Sequence, residues 1–291
     1  MDIGERKCSD PAFTLSVART LVQISASLEQ CAAAQLGLVE RLLQFVWAHL
    51  EHHMDSVKHL AAQVLTSVVS YCVRLEKTGE RSGVQQLLSA VRTLDESRKS
   101  LYVGLTALSE QLGPTRLMQE FPGVVESSLR ALTSQPVQAS VTNFLSLLLG
   151  RHMKTQSREV IYNSWVRPAL VLATSPGADS SVLQVLDTLL TTAVQNDHTL
   201  LEYILSHIER AVDESDMKCV LMLLSVARKC GVTSEDTGDK WKGLSPKSTE
   251  PMSRAELQLL LMFLKYNSNA QAPHCRQLML ALLKKTAVTE C

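Results

Sequence analysis

Residues 45–65 read FVWAHLEHHMDSVKHLAAQVL. Two apolar faces flank a polar hinge. Leu38, Leu42, Phe45, Val46 and Leu50 recur at the three- and four-residue spacing of one helix face, and Val57, Leu60, Val64, Leu65 and Val68 repeat it on the next. Between them lies EHHMD, too short for anything but a tight corner. Asp55 is expected to cap the second helix, because a carboxylate there accepts a free backbone N–H and suits the positive helix end. Lys58 follows three residues later, in reach of that carboxylate. The stretch is a helical hairpin.

The same stretch carries half of the chain's eight histidines, His49, His52, His53 and His59, together with Glu51 and Asp55. Imidazoles and carboxylates at such density raise the question of a metal centre. A zinc protease carries Glu directly after the first His, as H-E-x-x-H, so that the carboxylate serves as general base. Here Leu50 follows His49. His49 and His53 share a face only if the first helix runs through 53. The reading is a polar corner with Trp47 packed beneath it and the imidazoles partly solvated; no metal and no catalytic residue is expected.

Working outward, apolar residues recur at helical spacing almost everywhere: Val182, Val185, Leu186, Leu189 and Leu190; Val220, Leu223, Leu224 and Ala227; Leu257, Leu260, Leu261 and Leu264. No stretch alternates long enough to argue a strand. The breaks carry helix punctuation, as at Gly113-Pro114, Pro122-Gly123, Gln135-Pro136 and Ser175-Pro176-Gly177. Helices are predicted at 13–31, 36–50, 56–76, 83–96, 98–112, 122–133, 136–154, 158–173, 180–195, 198–211, 215–230, 253–266 and 271–287. One long polar gap, 231–251, surrounds Trp241. The expectation is all-α: a HEAT/armadillo-like α-solenoid of stacked antiparallel helix pairs over 1–230, a polar link at 231–251, and a terminal hairpin at 252–291. A compact helical bundle is the alternative.

Composition agrees with this class. Aromatic residues are only 4% of the chain, which suits helices better than sheets. Basic and acidic residues number 29 each, so no global positive field marks a stand-alone nucleic-acid binder. Cys8, Cys31, Cys72, Cys219, Cys230, Cys275 and Cys291 are scattered and form no CxxC pair, as expected of free thiols in a reducing compartment. The opening MDIGERKCSDPAF has no apolar core of a secretory signal. The apolar runs 257–264 and 144–150 fall far short of the ~20 residues that span a bilayer. A cytosolic protein with no membrane insertion is the expectation.

Nucleophile and nucleotide motifs are missing. There is no G-x-S-x-G elbow, dinucleotide fingerprint or P-loop, and no cofactor or small-molecule substrate is expected. Cations cluster at three places: Arg151, His152, Lys154 and Arg158 near one helix junction, Arg92, Arg98 and Lys99 at another, and Lys240, Lys242 and Lys247 in the polar gap. Phosphate binding needs such charges on one surface, and a row of them along a solenoid grips RNA by shape. Arg151, His152, Lys154 and Arg158 are the candidate tRNA-binding residues. The plain reading sets each cation at a solvated helix end, where it favours the C-terminal dipole.

The corner also carries a resemblance. Trp47, His49, Glu51, His52, Asp55, Val57 and His59 match the V-W-x-H-x-E-H-P-x-D-x-V-R-H hairpin of the thyroid-adenoma-associated (THADA) family of long HEAT/armadillo-type proteins. Lys58 replaces the usual Arg, and His53 stands where the family has Pro. SWVRPALVLA (164–173) is similar to the family's W-V-x-P-L segment, LLSVARKCG (223–231) to a helix ending in A-R-x-x-G, and 263–285 to a segment with Y-N-x-N-x-Q-x-P-x-x-R-Q and a closing L-L-K-K. The resemblance covers a central slice of a much longer protein. Between Trp241 and Met252 the family holds further helical sequence, which implies a truncated or alternatively spliced product here. It also implies a non-catalytic partner of a separate tRNA 2′-O-ribose methyltransferase acting at nucleotide 32 of the anticodon loop, with tRNA as a second partner. The alternative is a protein–protein interaction solenoid with no RNA role.

Overall fold

The computed structural model describes residues 11–28, 36–213 and 217–230; among them the regular structure is helical and no strand occurs. The chain divides into two compact units, Met1–Leu172 and Ala173–Cys291. The predicted link at 231–251, the hairpin at 252–291 and the similar segment at 263–285 lie outside the described residues.

In the first unit, α1 (Pro11–Ser27), α2 (Leu36–His49), α3 (Asp55–Lys77), α4 (Ser82–Arg92) and α5 (Lys99–Leu112) follow one another. Then come α6 (Pro114–Glu120), α7 (Val124–Ala131), α8 (Gln138–His152) and α9 (Arg158–Ile161). A π-helical turn, Tyr162–Val166, joins α9 to α10 (Arg167–Ala173). Helix α3 organises the unit. Val57, Ala61, Val64, Leu65, Val68, Val69 and Cys72 are buried along it, and α1, α2, α4 and α5 all pack against it. Helix α5 in turn packs on α8, and α7 on α8. Thus α3, α5 and α8 are successive neighbours, and α2, α4 and α7 each lie against the long helix that follows. Each fully covered Leu or Val in these layers contributes roughly 1.5–3 kcal/mol.

Two glycines permit specific geometry. A Cβ at Gly104 of α5 would stand 3.3 Å from the Trp47 ring and 3.3 Å from Val91, so the absence of a side chain lets α2 and α4 close on α5. Gly113, with φ +80°, turns the chain sharply between α5 and α6 in a region closed to most L-residues. Pro114 then opens α6 at a position where its missing N–H costs nothing. The punctuation Gly113-Pro114 predicts a break, and the break is real, but a two-turn helix starts immediately after it.

The π-helical turn has a local cause. Pro168 has no N–H to donate and its ring crowds the carbonyl four residues back. Just ahead of it, Arg167 N–H reaches Tyr162 O, five residues away, which widens the turn. The predicted helix 158–173 therefore holds, with one enlarged turn inside it.

In the second unit, α11 (Ser180–Asn196) is followed by a 3-10 turn (His198–Leu200), α12 (Leu201–Asp213) and α13 (Met217–Lys229), with α13 against both α11 and α12. Asp179 caps α11, accepting the Val182 N–H at 2.9 Å. That bond holds its carboxyl below the usual range. On the buried side of α11, Asp187 accepts from Ser225 Oγ at 3.2 Å and pairs with Lys229, tying α11 to α13. No helix among the described residues is long and apolar enough to cross a membrane.

Candidate nucleic-acid interface

At the α2–α3 corner, the predicted cap is corrected. The N-cap is Met54, with no side-chain capping bond, and Asp55 is the first helical residue. Its carboxylate is engaged by Lys58 at 2.8 Å, the partner three residues on, and that ion pair lowers its pKa. Among the described residues no group of three or more His, Cys, Asp or Glu is placed to hold a metal ion. The imidazoles instead bond to backbone. His49 Nδ1 meets Phe45 O at 2.8 Å, His59 Nδ1 meets Asp55 O at 2.7 Å, and His52 Nδ1 accepts the Met54 N–H at 3.2 Å.

Glu51 does more than solvate the corner. Its Oε1 accepts the Ser100 backbone N–H at 3.0 Å and Arg98 Nε at 3.3 Å, so a residue of the first corner caps α5. Burial alone would raise this carboxyl; the Ser100 N–H and Arg98 outweigh it and bring it below the usual range. No local pattern announces this bond, since its partners are 47 and 49 residues away.

The second cation group is consumed internally. Arg92 donates to Glu120 O at 3.0 Å and Glu120 Oε2 at 2.9 Å, and lies over the Phe121 ring. Arg98 is held by Glu51, and only Lys99 of the three is exposed without such an ion pair. The third group, Lys240, Lys242 and Lys247, lies outside the described residues.

The four candidate residues divide between surface and core. Arg151, at the end of α8, donates from Nη1 to Ser109 O at 3.3 Å and Glu110 O at 2.9 Å, closing the carbonyls at the α5 C-terminus. Lys154 is exposed on the α8–α9 corner, and Arg158 is half-buried at the start of α9. His152 is turned inward and only 2% exposed. Its Nδ1 accepts the indole N–H of Trp165, a residue of the π-helical turn, at 3.0 Å. Burial pushes the His152 pKa down, keeping the ring neutral. The structure thus places Arg151 and Lys154 on the surface and makes His152 part of the support beneath them.

Against this geometry, comparison with known proteins adds relatives. The chain is 22% identical over 325 residues to the dog (Canis lupus familiaris) protein described as tRNA (32-2′-O)-methyltransferase regulator THADA, covering 94% of this chain and 17% of that one. Its similarity to the human protein of the same description is 22% over 330 residues, with the same coverage. For the chicken (Gallus gallus) protein it is 22% over 318 residues, covering 94% and 16%. The chain is thus similar, at low identity and over nearly its whole length, to a segment of THADA. It spans about a sixth of the length of the curated relatives it matches. No family model matches the chain, and no solved structure matches it.

The blocks that resemble THADA map onto structural joints. The first is the α2–α3 corner with Trp47 beneath and Glu51 reaching α5. The second, 164–173, is the π-helical turn with buried Trp165 and the adjoining Pro168. The third ends α13, where Lys229 meets Asp187. Pattern matching singled out His152 as a surface cation; the buried indole that claims it comes from thirteen residues further on.

Proposed function

We propose that this chain is a non-catalytic scaffold segment that works with a tRNA 2′-O-ribose methyltransferase acting at nucleotide 32, in the cytosol. The observation that carries the reading is its similarity, over nearly its whole length, to proteins described as regulators of that activity. The succession of α3, α5 and α8 with a second helix against each supports a stretch of HEAT/armadillo-like solenoid. Cys72 and Cys230 are buried thiols, which suits a reducing compartment, with burial pushing Cys72 up to about 12 and out of reactive range.

The action is positional. Holding the tRNA so that its ribose hydroxyl meets the enzyme's methyl donor converts an encounter into an oriented reaction. Arg151, Lys154 and Arg158 supply phosphate contacts at the α8–α9 corner, with His152 and Trp165 fixing the corner from inside.

The test is a titration of the purified chain against the methyltransferase, with and without tRNA, at two salt concentrations. Saturable binding strengthened by tRNA is the expected result. Changing Arg151 and Lys154 to Ala lowers the dependence of log affinity on log salt by roughly 0.7–0.9 per lost phosphate contact. A folded chain that binds neither methyltransferase nor tRNA refutes the reading.

A further inference from the structure

The histidine corner, unused by the basic α8–α9 corner, is built as a column of rings. Phe45 and His49 stack with centroids 4.2 Å apart and planes 20° from parallel. His49 and His52 follow at 5.7 Å and 28°, then His52 and His53 at 4.1 Å and 34°. Exposure rises along the column, from half-buried Phe45, His49 and His52 to exposed His53. Among the described residues no further ring stacks on His53.

The column is held in place by backbone. His49 Nδ1 donates to Phe45 O, and the His52 N–H reaches His49 O at 3.1 Å. His52 Nδ1 is the acceptor of the Met54 N–H, which assigns its neutral-ring proton to Nε2. The two inner imidazoles are thus fixed before anything is laid on the outer ring. The same corner carries Lys58 on Asp55, Arg98 on Glu51, and Lys99, whose charge acts on Asp55. With Lys58 and Arg98 taken up by Asp55 and Glu51, exposed Lys99 is the cation of this corner left without such an ion pair. Exposed aromatic faces flanked by cations are how single-stranded RNA is gripped, because every base offers a π-face and its phosphate seeks a cation.

We infer that the Phe45–His49–His52–His53 column is a stacking platform for an unpaired nucleobase of RNA. The base adds to the outer face of His53, and its phosphate lies toward Lys58 and Lys99. The inference rests on the tRNA reading and extends it, giving the RNA a second point of attachment that reads an unstacked base.

The whole chain is titrated, without methyltransferase, against a labelled single-stranded oligoadenylate and against an abasic oligonucleotide of equal length. His53→Leu, at an exposed position that leaves the fold intact, is expected to weaken oligoadenylate binding roughly tenfold. His53→Phe restores it, and abasic binding is indifferent to either change. Equal oligoadenylate affinity of wild type and His53→Leu overturns the platform. So does no preference of the wild type for oligoadenylate over the abasic strand, or loss of methyltransferase binding by His53→Leu in the absence of RNA, which would assign the face to protein. Because methyltransferase and tRNA binding are measured separately, the platform fails alone if those persist unchanged.

Discussion

The His152–Trp165 bond gives the sharpest quantitative test. Both side chains are buried, at 2% and 3% exposure, and the indole N–H has His152 Nδ1 as its partner at 3.0 Å. His152→Leu keeps the volume close and removes the acceptor. A buried donor left unpaired costs roughly 1–3 kcal/mol. For a unit of this size that lowers the melting temperature by roughly 2–4 °C per kcal/mol, so a drop of about 2–12 °C is expected. His152→Gln supplies an amide oxygen in place of Nδ1 and should recover most of the loss. The two variants also separate packing from protonation. Burial holds the wild-type His152 pKa below the ordinary 6.5. The unfolded chain therefore binds the proton first, and the stability held in this site is complete above about pH 6.5 and is lost as pH falls below it. Thermal unfolding followed by differential scanning fluorimetry at about pH 7.5 and about pH 5.5 reads both effects. Wild type should lose more stability on acidification than His152→Gln. If His152→Leu melts with wild type at neutral pH, the indole bond carries no net stability. If His152→Gln retains the full acid sensitivity, His152 is not a buried neutral group.

Two further outcomes follow from packing and charge. Glu76 and Arg116 join α3 to α6 through two bonds of 2.6 and 2.7 Å, with the Glu76 side chain 15% exposed. The Arg116 bonds hold the Glu76 carboxyl below its usual range, so this contribution is present at neutral pH and lost as pH falls through the carboxylate region. A double-mutant cycle of Glu76→Ala and Arg116→Ala in urea unfolding should give a coupling of about 1–2 kcal/mol, between exposed and buried pairs. A coupling within error of zero would remove the pair as a link between the helices. Gly104→Ala pushes a methyl group against Trp47 and Val91 at 3.3 Å and should cost about 1–3 kcal/mol in the same assay, with a change in tryptophan fluorescence. An unchanged midpoint would mean that α2 and α4 have room to withdraw.

Helical periodicity alone determined the helical class and the positions of most helices, because a buried stripe at three- and four-residue spacing is a property of neighbouring residues. The corner at residues 49–55 was legible for the same reason, as was the Asp55–Lys58 pair. The helix Pro114–Glu120 was not, since a Gly-Pro break marks an end without saying that a short helix follows. The resemblance of residues 45–65 to THADA was also visible in the sequence, because a motif is local. Which cations are already paired was decided by tertiary structure. Arg92 and Arg98 are taken up by Glu120 and Glu51, and His152 by the indole of Trp165, thirteen residues on. Glu51 caps a helix 49 residues away. Hydrogen-bond partners that far apart along the chain leave no periodic trace, and only folding brings donor and acceptor within 3 Å.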